Sequence, residues 1–150
     1  MATAQIRLNH MELTFPKGTL TDVFRKEVDD FYGSIFGWRG IDTQVVGQDV
    51  HILLIGDRGD FILLAESSKP MSSPGYDHLG LLHSTRAEVD DLLEQCQAYA
   101  ARDERVQIKN YDDLVNPGDL VVRAFYVRFL LPIWFDVQCM ERGGQAIPVA

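Results

Sequence analysis

Four histidines, His10, His51, His78 and His83, are the side chains of this chain most suited to chemistry near neutral pH. A neutral imidazole can accept a proton or lend a lone pair to a divalent ion. His10 and His78 stand within stretches of alternating polarity, and a lone histidine inside a strand is also a common hydrogen-bonded structural group. Glu12 shares strand parity with His10, so it is placed either as an acid/base neighbour (the catalytic candidate) or on a solvated strand end. His83 has the opposite parity to His78 and precedes a helix start, which marks it as structural or exposed. Late in the chain, Phe125, Tyr126, Phe129 and Trp134 can line an aromatic pocket or fill a core. Arg123 and Arg128 fall on opposite faces of one strand, so one of them reaches a cavity; Arg128 is chosen, with Trp134 and Tyr126, as a substrate-binding residue for an anionic group.

The elements that must position these residues follow from periodicity. Ile6–Phe15 alternates as a strand with His10 at its centre. From Leu20 to Phe36, apolar residues recur at helical spacing (Leu20, Phe24, Val28, Phe31, Ile35), with Thr19 or Thr21 as cap and Gly37 as stop. Three strands follow, near Asp42–Gly47, Asp49–Gly56 and Asp60–Glu66, separated by Val46-Gly47-Gln48-Asp49 and Gly56-Asp57-Arg58-Gly59 turns. A polar, proline-bearing linker covers 67–75. The order then repeats: a strand over Tyr76–His83, a helix over Arg86–Ala101 opened by a Thr85/Glu88 capping box, and strands near Arg105–Tyr111, Leu120–Phe129 and Trp134–Glu141. The Gly-rich tail over 142–150 is expected to fray. The chain is thus expected to be one α+β domain over 1–150, in which module 1 (about 5–66) and module 2 (about 76–141) are each βαβββ. Together they are expected to form a mixed-sheet, half-barrel pocket.

Composition narrows the partners. A length of 150 residues suffices for a core without staples. A formal net charge of −8, with no cluster of Lys and Arg, argues against a nucleic-acid partner. No segment has the apolar length that spans a bilayer, so no membrane partner is expected. Cys96 and Cys139 lack CxxC spacing and read as reduced, buried thiols. The opening Met1-Ala2-Thr3-Ala4-Gln5 has no leader pattern, and the expected location is cytoplasmic.

Four local patterns give the chain a resemblance to a known family: Leu8-Asn9-His10-Met11-Glu12-Leu13; Val28-Asp29-Asp30-Phe31-Tyr32 through Phe36-Gly37-Trp38; Tyr76-Asp77-His78-Leu79-Gly80; and Trp134 to Glu141. Over about Ile6 to Glu141 it resembles the vicinal-oxygen-chelate superfamily, which includes glyoxalase I, extradiol dioxygenases, fosfomycin-resistance enzymes and bleomycin-binding proteins. The resemblance implies a metal site with His10 and His78 as ligands and the last-strand ligand, usually Glu, at Gln138. A fourth ligand of glyoxalase-type members would fall near Leu63, with Glu66 on the opposite face as a poor substitute. His51 and His83 match no functional position. A homodimer is also implied.

Two imidazoles and a carboxylate would leave open positions on one divalent ion (Fe, Mn, Ni or Zn) for substrate oxygens. A Gln amide oxygen is a weaker donor to a hard cation than a carboxylate. Asp136 shares parity with Gln138, Trp134 and Met140, and a shifted register would let it supply the carboxylate. Three functions follow: a metal-dependent lyase or dioxygenase built on His10, His78 and Gln138 or Asp136; a metal-free small-molecule binding or drug-sequestration protein of the bleomycin-resistance kind; and a metal-free isomerase using Glu12 or a histidine as base.

Overall fold

The computed structural model describes residues 4–149; residues 1–3 of the opening stretch and residue 150 of the tail lie outside the described residues. The chain divides into two compact units, Met1–Met71 and Ser72–Ala150, each with one helix on a mixed sheet; the first is βαβββ, and the second repeats that order with two further short strands.

In the first unit the order is β1 (His10–Phe15), α1 (Asp22–Phe36), β2 (Arg39–Val45), β3 (Gln48–Leu54) and β4 (Phe61–Glu66). The sheet runs β1-β4-β3-β2, with β1 and β4 parallel and the other pairs antiparallel. Thr21, not Thr19, caps α1 by accepting from the Phe24 amide, and Gly37 ends it at φ 70°. Such a conformation costs a residue without a side chain little. The helix buries Val28, Phe31, Tyr32 and Ile35. The facing side of the sheet supplies Leu13, Leu53, Ile62 and Leu64, all at 0% exposure. Strand β1 is shorter than its alternation suggests and begins at His10, which is therefore a strand-end residue rather than a central one. The β2–β3 turn places both Val46 (φ 51°) and Gly47 (φ 75°) in the left-handed region. A fully exposed β-branched residue is poorly suited to that region. Val46→Asn is expected to stabilise the chain by about 1 kcal/mol, read as a rise of roughly 2–4 °C in melting temperature.

The second unit contains β5 (His78–His83), α2 (Arg86–Ala100), β6 (Gln107–Asn110), β7 (Leu114–Asn116), β8 (Leu120–Arg128), β9 (Trp134–Arg142) and β10 (Gln145–Ile147). The path β10-β9-β8-β6 is extended by β5, parallel to β9, and β7, antiparallel to β8. Helix α2 opens on the Thr85/Glu88 capping box. One sheet face packs beneath it: Phe125, Val127, Phe135, Val137 and Cys139 are at 0% exposure, and Arg123 on this face binds Asp90 of α2 at 2.9 Å. The expected frayed tail is instead a third hairpin strand. Gly143 and Gly144, at φ 57° and 75°, turn the chain so that Gln145 pairs with Arg142, and the Val149 amide donates to Ser84 Oγ at 3.0 Å. Cys96 and Cys139 are free and buried. Among the described residues, no helix is long and apolar enough to cross a membrane.

Candidate functional site

The face of the second sheet away from α2 gathers the candidate side chains of the second unit. Period-two alternation sends Phe125, Val127, Phe135 and Val137 to the helix and their neighbours to the other side. Register then sets those neighbours in rows: Lys109 opposite Tyr126, Tyr126 opposite Asp136, and Asp136 opposite Gly80. Beside this row, His78 pairs with Trp134, and Gln138 lies between Ala124 and Leu82.

His78 is held in one tautomer. Its Nδ1 lies 2.7 Å from the Tyr76 carbonyl, which can only accept, so Nδ1 carries the proton and Nε2 presents a lone pair. That lone pair faces the Tyr126 hydroxyl at 3.3 Å and Asp136 Oδ2 at 3.9 Å. The Tyr126 and His78 rings are 4.8 Å apart, and Tyr76 links Trp134 to the cluster with centroids at 5.3 Å.

Asp136 is the electrostatic centre of this face. It is buried at 8% exposure, and burial pushes its carboxyl above the usual carboxylate range, against the opposing pull of His78 and a hydrogen bond from Tyr126. The Gln138 amide donates to Asp136 Oδ2 at 3.3 Å. Asp136 Oδ1 is buried with no hydrogen-bond partner among the described residues, an arrangement that costs free energy unless a ligand completes it. Burial also raises the Tyr126 phenol, with Asp136 adding to the effect.

The remaining sequence candidates sort by unit. Trp134 and Tyr126 lie on the site face with His78, Asp136 and Gln138. Arg128 has the parity of Tyr126, at the end of β8, whereas Arg123 is committed to Asp90, Asn110 and two carbonyls on the helix side. In the first unit, His10 resembles His78 in one respect: its Nδ1 lies 2.7 Å from Asn9 Oδ1, which leaves Nε2 as the lone pair. The ring stacks on Phe61 at 4.7 Å. Glu12 shares this face, opposite Leu63, and is exposed. Glu66 is on the other face and accepts from the Leu20 amide at 2.9 Å; hydrogen bonds from Gly18 and Leu20 hold its carboxyl below the usual range. His51, read as matching no functional position, is buried between Asp29 and Asp42, each 2.7 Å from a ring nitrogen. Burial holds the His83 imidazole below its ordinary range. Lys109, Tyr76 and Tyr111 carry no chemical pattern of their own in the sequence: the register of β6 on β8 sets Lys109 across from Tyr126, and Tyr76 and Tyr111 meet Tyr126 by ring contacts.

No family profile matches the chain, and no curated protein matches it in sequence. Solved structures do. The fosfomycin resistance protein FosX from Listeria monocytogenes superposes with a TM-score of 0.61 at 19% identity, over 89% of this chain and 91% of that one. The chain has the vicinal-oxygen-chelate fold. A protein from Bacillus anthracis assigned to the glyoxalase family shares this fold at a TM-score of 0.59 and 14% identity, over 95% of this chain and 99% of that one. A glutamate-to-glutamine mutant of FosX, crystallised with Mn(II) and a dihydroxypropylphosphonic acid, aligns at a TM-score of 0.58 and 18% identity, over 89% of this chain and 92% of that one.

The fold raises the question of a divalent ion, and the residues on the second sheet can be tested for it. Bonds of about 2.1 Å to an imidazole nitrogen and a carboxylate oxygen bridge donors up to about 4.2 Å apart. The 3.9 Å between His78 Nε2 and Asp136 Oδ2 falls inside that reach, and the orphaned Oδ1 supplies a further donor. Among the described residues no group of three or more His, Cys, Asp or Glu side chains is arranged to hold a metal ion. Further ligands on this face would therefore come from Gln138 Oε1, water or substrate.

Proposed function

We propose that this chain is a divalent-metal-dependent enzyme acting on a small oxygen-bearing substrate. His78 and Asp136 are its ligands on the second module, with Gln138 as a weak third donor. One observation carries the reading: the Tyr76 carbonyl fixes His78 so that its lone pair meets a buried carboxyl whose second oxygen has no partner. A histidine held through its other nitrogen by a backbone carbonyl is the usual arrangement of a metal ligand. FosX structures crystallised with Mn(II) support the same reading.

An ion bound there supplies Lewis-acid polarisation of substrate oxygens. The chain's own residues do the rest. Tyr126, whose hydroxyl lies 3.3 Å from His78 Nε2, would donate its proton toward a substrate oxygen beside the ion, and Trp134 packs against Tyr76 next to it. Within the first module His10, whose Nδ1 is held by Asn9 Oδ1, is a separate candidate ligand.

Mn(II) titration of purified protein, read by the loss of free-ion signal, tests the proposal. Wild-type protein is expected to bind one Mn(II), and His78→Ala to lose it. A wild-type protein that binds neither Mn(II), Fe(II), Ni(II) nor Zn(II) would overturn it in favour of metal-free small-molecule binding, the reading that glutamine at position 138 favours.

A further inference from the structure

The partly buried cations of this chain are paired, with two exceptions. Arg25 reaches Asp42 at 3.3 Å, Arg86 reaches Asp113 at 2.8 Å, and Arg123 reaches Asp90 at 2.9 Å. Lys109 and Arg128 are also partly buried, yet neither has a carboxylate partner among the described residues. The contacts of Lys109 are with neutral phenols: its Nζ lies 3.3 Å from Tyr76 Oη and sits over the Tyr76 and Tyr111 rings at 4.3 and 5.1 Å. Arg128 has no hydrogen-bond or ion-pair partner among the described residues. In a chain with 22 acidic and 14 basic residues, chance would sooner leave acids unmatched than cations.

Both exceptions stand on the site face. Lys109 is opposite Tyr126 and Arg128 is opposite Gln107, which makes them diagonal neighbours about 7–8 Å apart. Two long side chains at that separation can close on one anion. The aromatic contacts restrict the Lys109 stem and keep its ammonium desolvated on one side, and hydrogen bonds to Tyr76 and Tyr111 hold it above its ordinary range, so it stays charged. A planar guanidinium offers paired donors that match an oxyanion. One strand from Lys109 is Tyr126, and one more is Asp136, about 10 Å away at the usual strand spacing. That span suits a small molecule with an acidic group at one end and the reacting oxygens at the other.

We infer that the substrate carries an oxyanion group, carboxylate or phosphoryl in type, and that Lys109 and Arg128 bind it together. This rests on the placement of the reacting centre at His78 and Asp136 but requires no metal. Leaving a partly buried guanidinium without a partner costs free energy that a bound anion returns. Lys109 is thereby a specificity residue, set apart from the ligands.

The test uses metal-free, full-length protein titrated separately with inorganic phosphate and with acetate, followed by backbone amide NMR. Saturable shifts are expected at Ile108–Asn110 and Tyr126–Arg128, weakening as salt rises. Lys109→Met and Arg128→Met should each weaken binding by about tenfold, and the double variant should abolish it; Lys109→Arg should restore most of it. The stronger of the two probes assigns the acid type. Shifts confined to other residues, binding by the double variant equal to wild type, or no saturable binding of either anion would overturn the inference. Mn(II) binding is measured on the same variants. If the double variant keeps Mn(II) while losing phosphate, both readings stand; if no protein binds Mn(II) but phosphate still depends on Lys109 and Arg128, the metal reading fails alone.

Discussion

Asp136→Asn is expected to weaken Mn(II) binding by at least about a hundredfold, whereas Gln138→Ala changes it by no more than about tenfold. The lower bound follows because loss of groups that merely orient a ligand already costs about 10- to 100-fold, and here the carboxylate itself is lost. Titration of Mn(II) into both variants reads the difference. The same substitution carries a second expectation of opposite sign. Burial raises the Asp136 carboxyl in the folded chain, so between its unfolded and folded values the native state binds more protons than the unfolded state. Stability from this group therefore falls as pH rises through that window and stays low at neutral pH. Removing the charge should raise the melting temperature of metal-free Asp136→Asn protein at neutral pH and flatten its dependence on pH through the acidic range. A gain in stability together with a loss of metal affinity marks a residue kept for function. If Asp136→Asn is instead less stable at neutral pH, with Mn(II) binding intact, the carboxyl is structural.

Gly40→Ala is expected to destabilise the first module by about 2–3 kcal/mol, roughly a 5–10 °C drop in melting temperature. Gly40 lies on β2, where an added Cβ would stand 2.0 Å from Asp29 Oδ1. That oxygen is the one 2.7 Å from His51 Nε2, while Asp42 meets Nδ1 at the same distance. His51 is only 2% exposed, so displacing Asp29 leaves a buried ring nitrogen without its partner. Arg25, which bridges Asp22 and Asp42, extends this charged network along the helix. Thermal unfolding of the single variant and of Gly40→Ala in an Asp29→Ala background separates the effect from a general packing cost. If the clash is the cause, the glycine substitution costs far less in the second background; equal costs in both would contradict this.

Much of the fold is legible in the sequence because it is written in local signals. The alternation of Leu13 and Phe15 against Glu12, the helical spacing of Val28, Phe31 and Ile35, and the Thr85/Glu88 pair each fix an element from neighbouring residues alone. Strands β7 and β10 are different, since three residues carry too little alternation to stand out, although Gly143-Gly144 is a strong hairpin signal. The alternation of polarity puts His10 mid-strand, but the ladder begins there because the parallel pairing of β1 with Phe61–Glu66 begins there, a fact held in a distant segment.

The site divides along the same line. Parity puts Trp134, Asp136 and Gln138 on one face, but it cannot say which of them meets His78. Only the parallel register of β5 on β9, His78 against Trp134 and Gly80 against Asp136, brings the carboxyl closest and lets Gln138 lean over the bare Gly80 backbone, 3.3 Å from where a Cβ would be. Lys109 was invisible for the same reason: its importance lies in standing across from Tyr126, which is a property of strand pairing rather than of its own segment.

The proposed function stands on His78 Nε2 as a metal ligand beside Asp136. Pulsed electron paramagnetic resonance of Mn(II) added to the full-length protein tests it most directly, because nitrogen bound to the ion modulates the echo. Nitrogen modulation is expected in wild-type protein, diminished in His78→Ala and unchanged in Lys109→Met. A spectrum of hydrated Mn(II) identical with and without protein, or nitrogen modulation undiminished in His78→Ala, would contradict it.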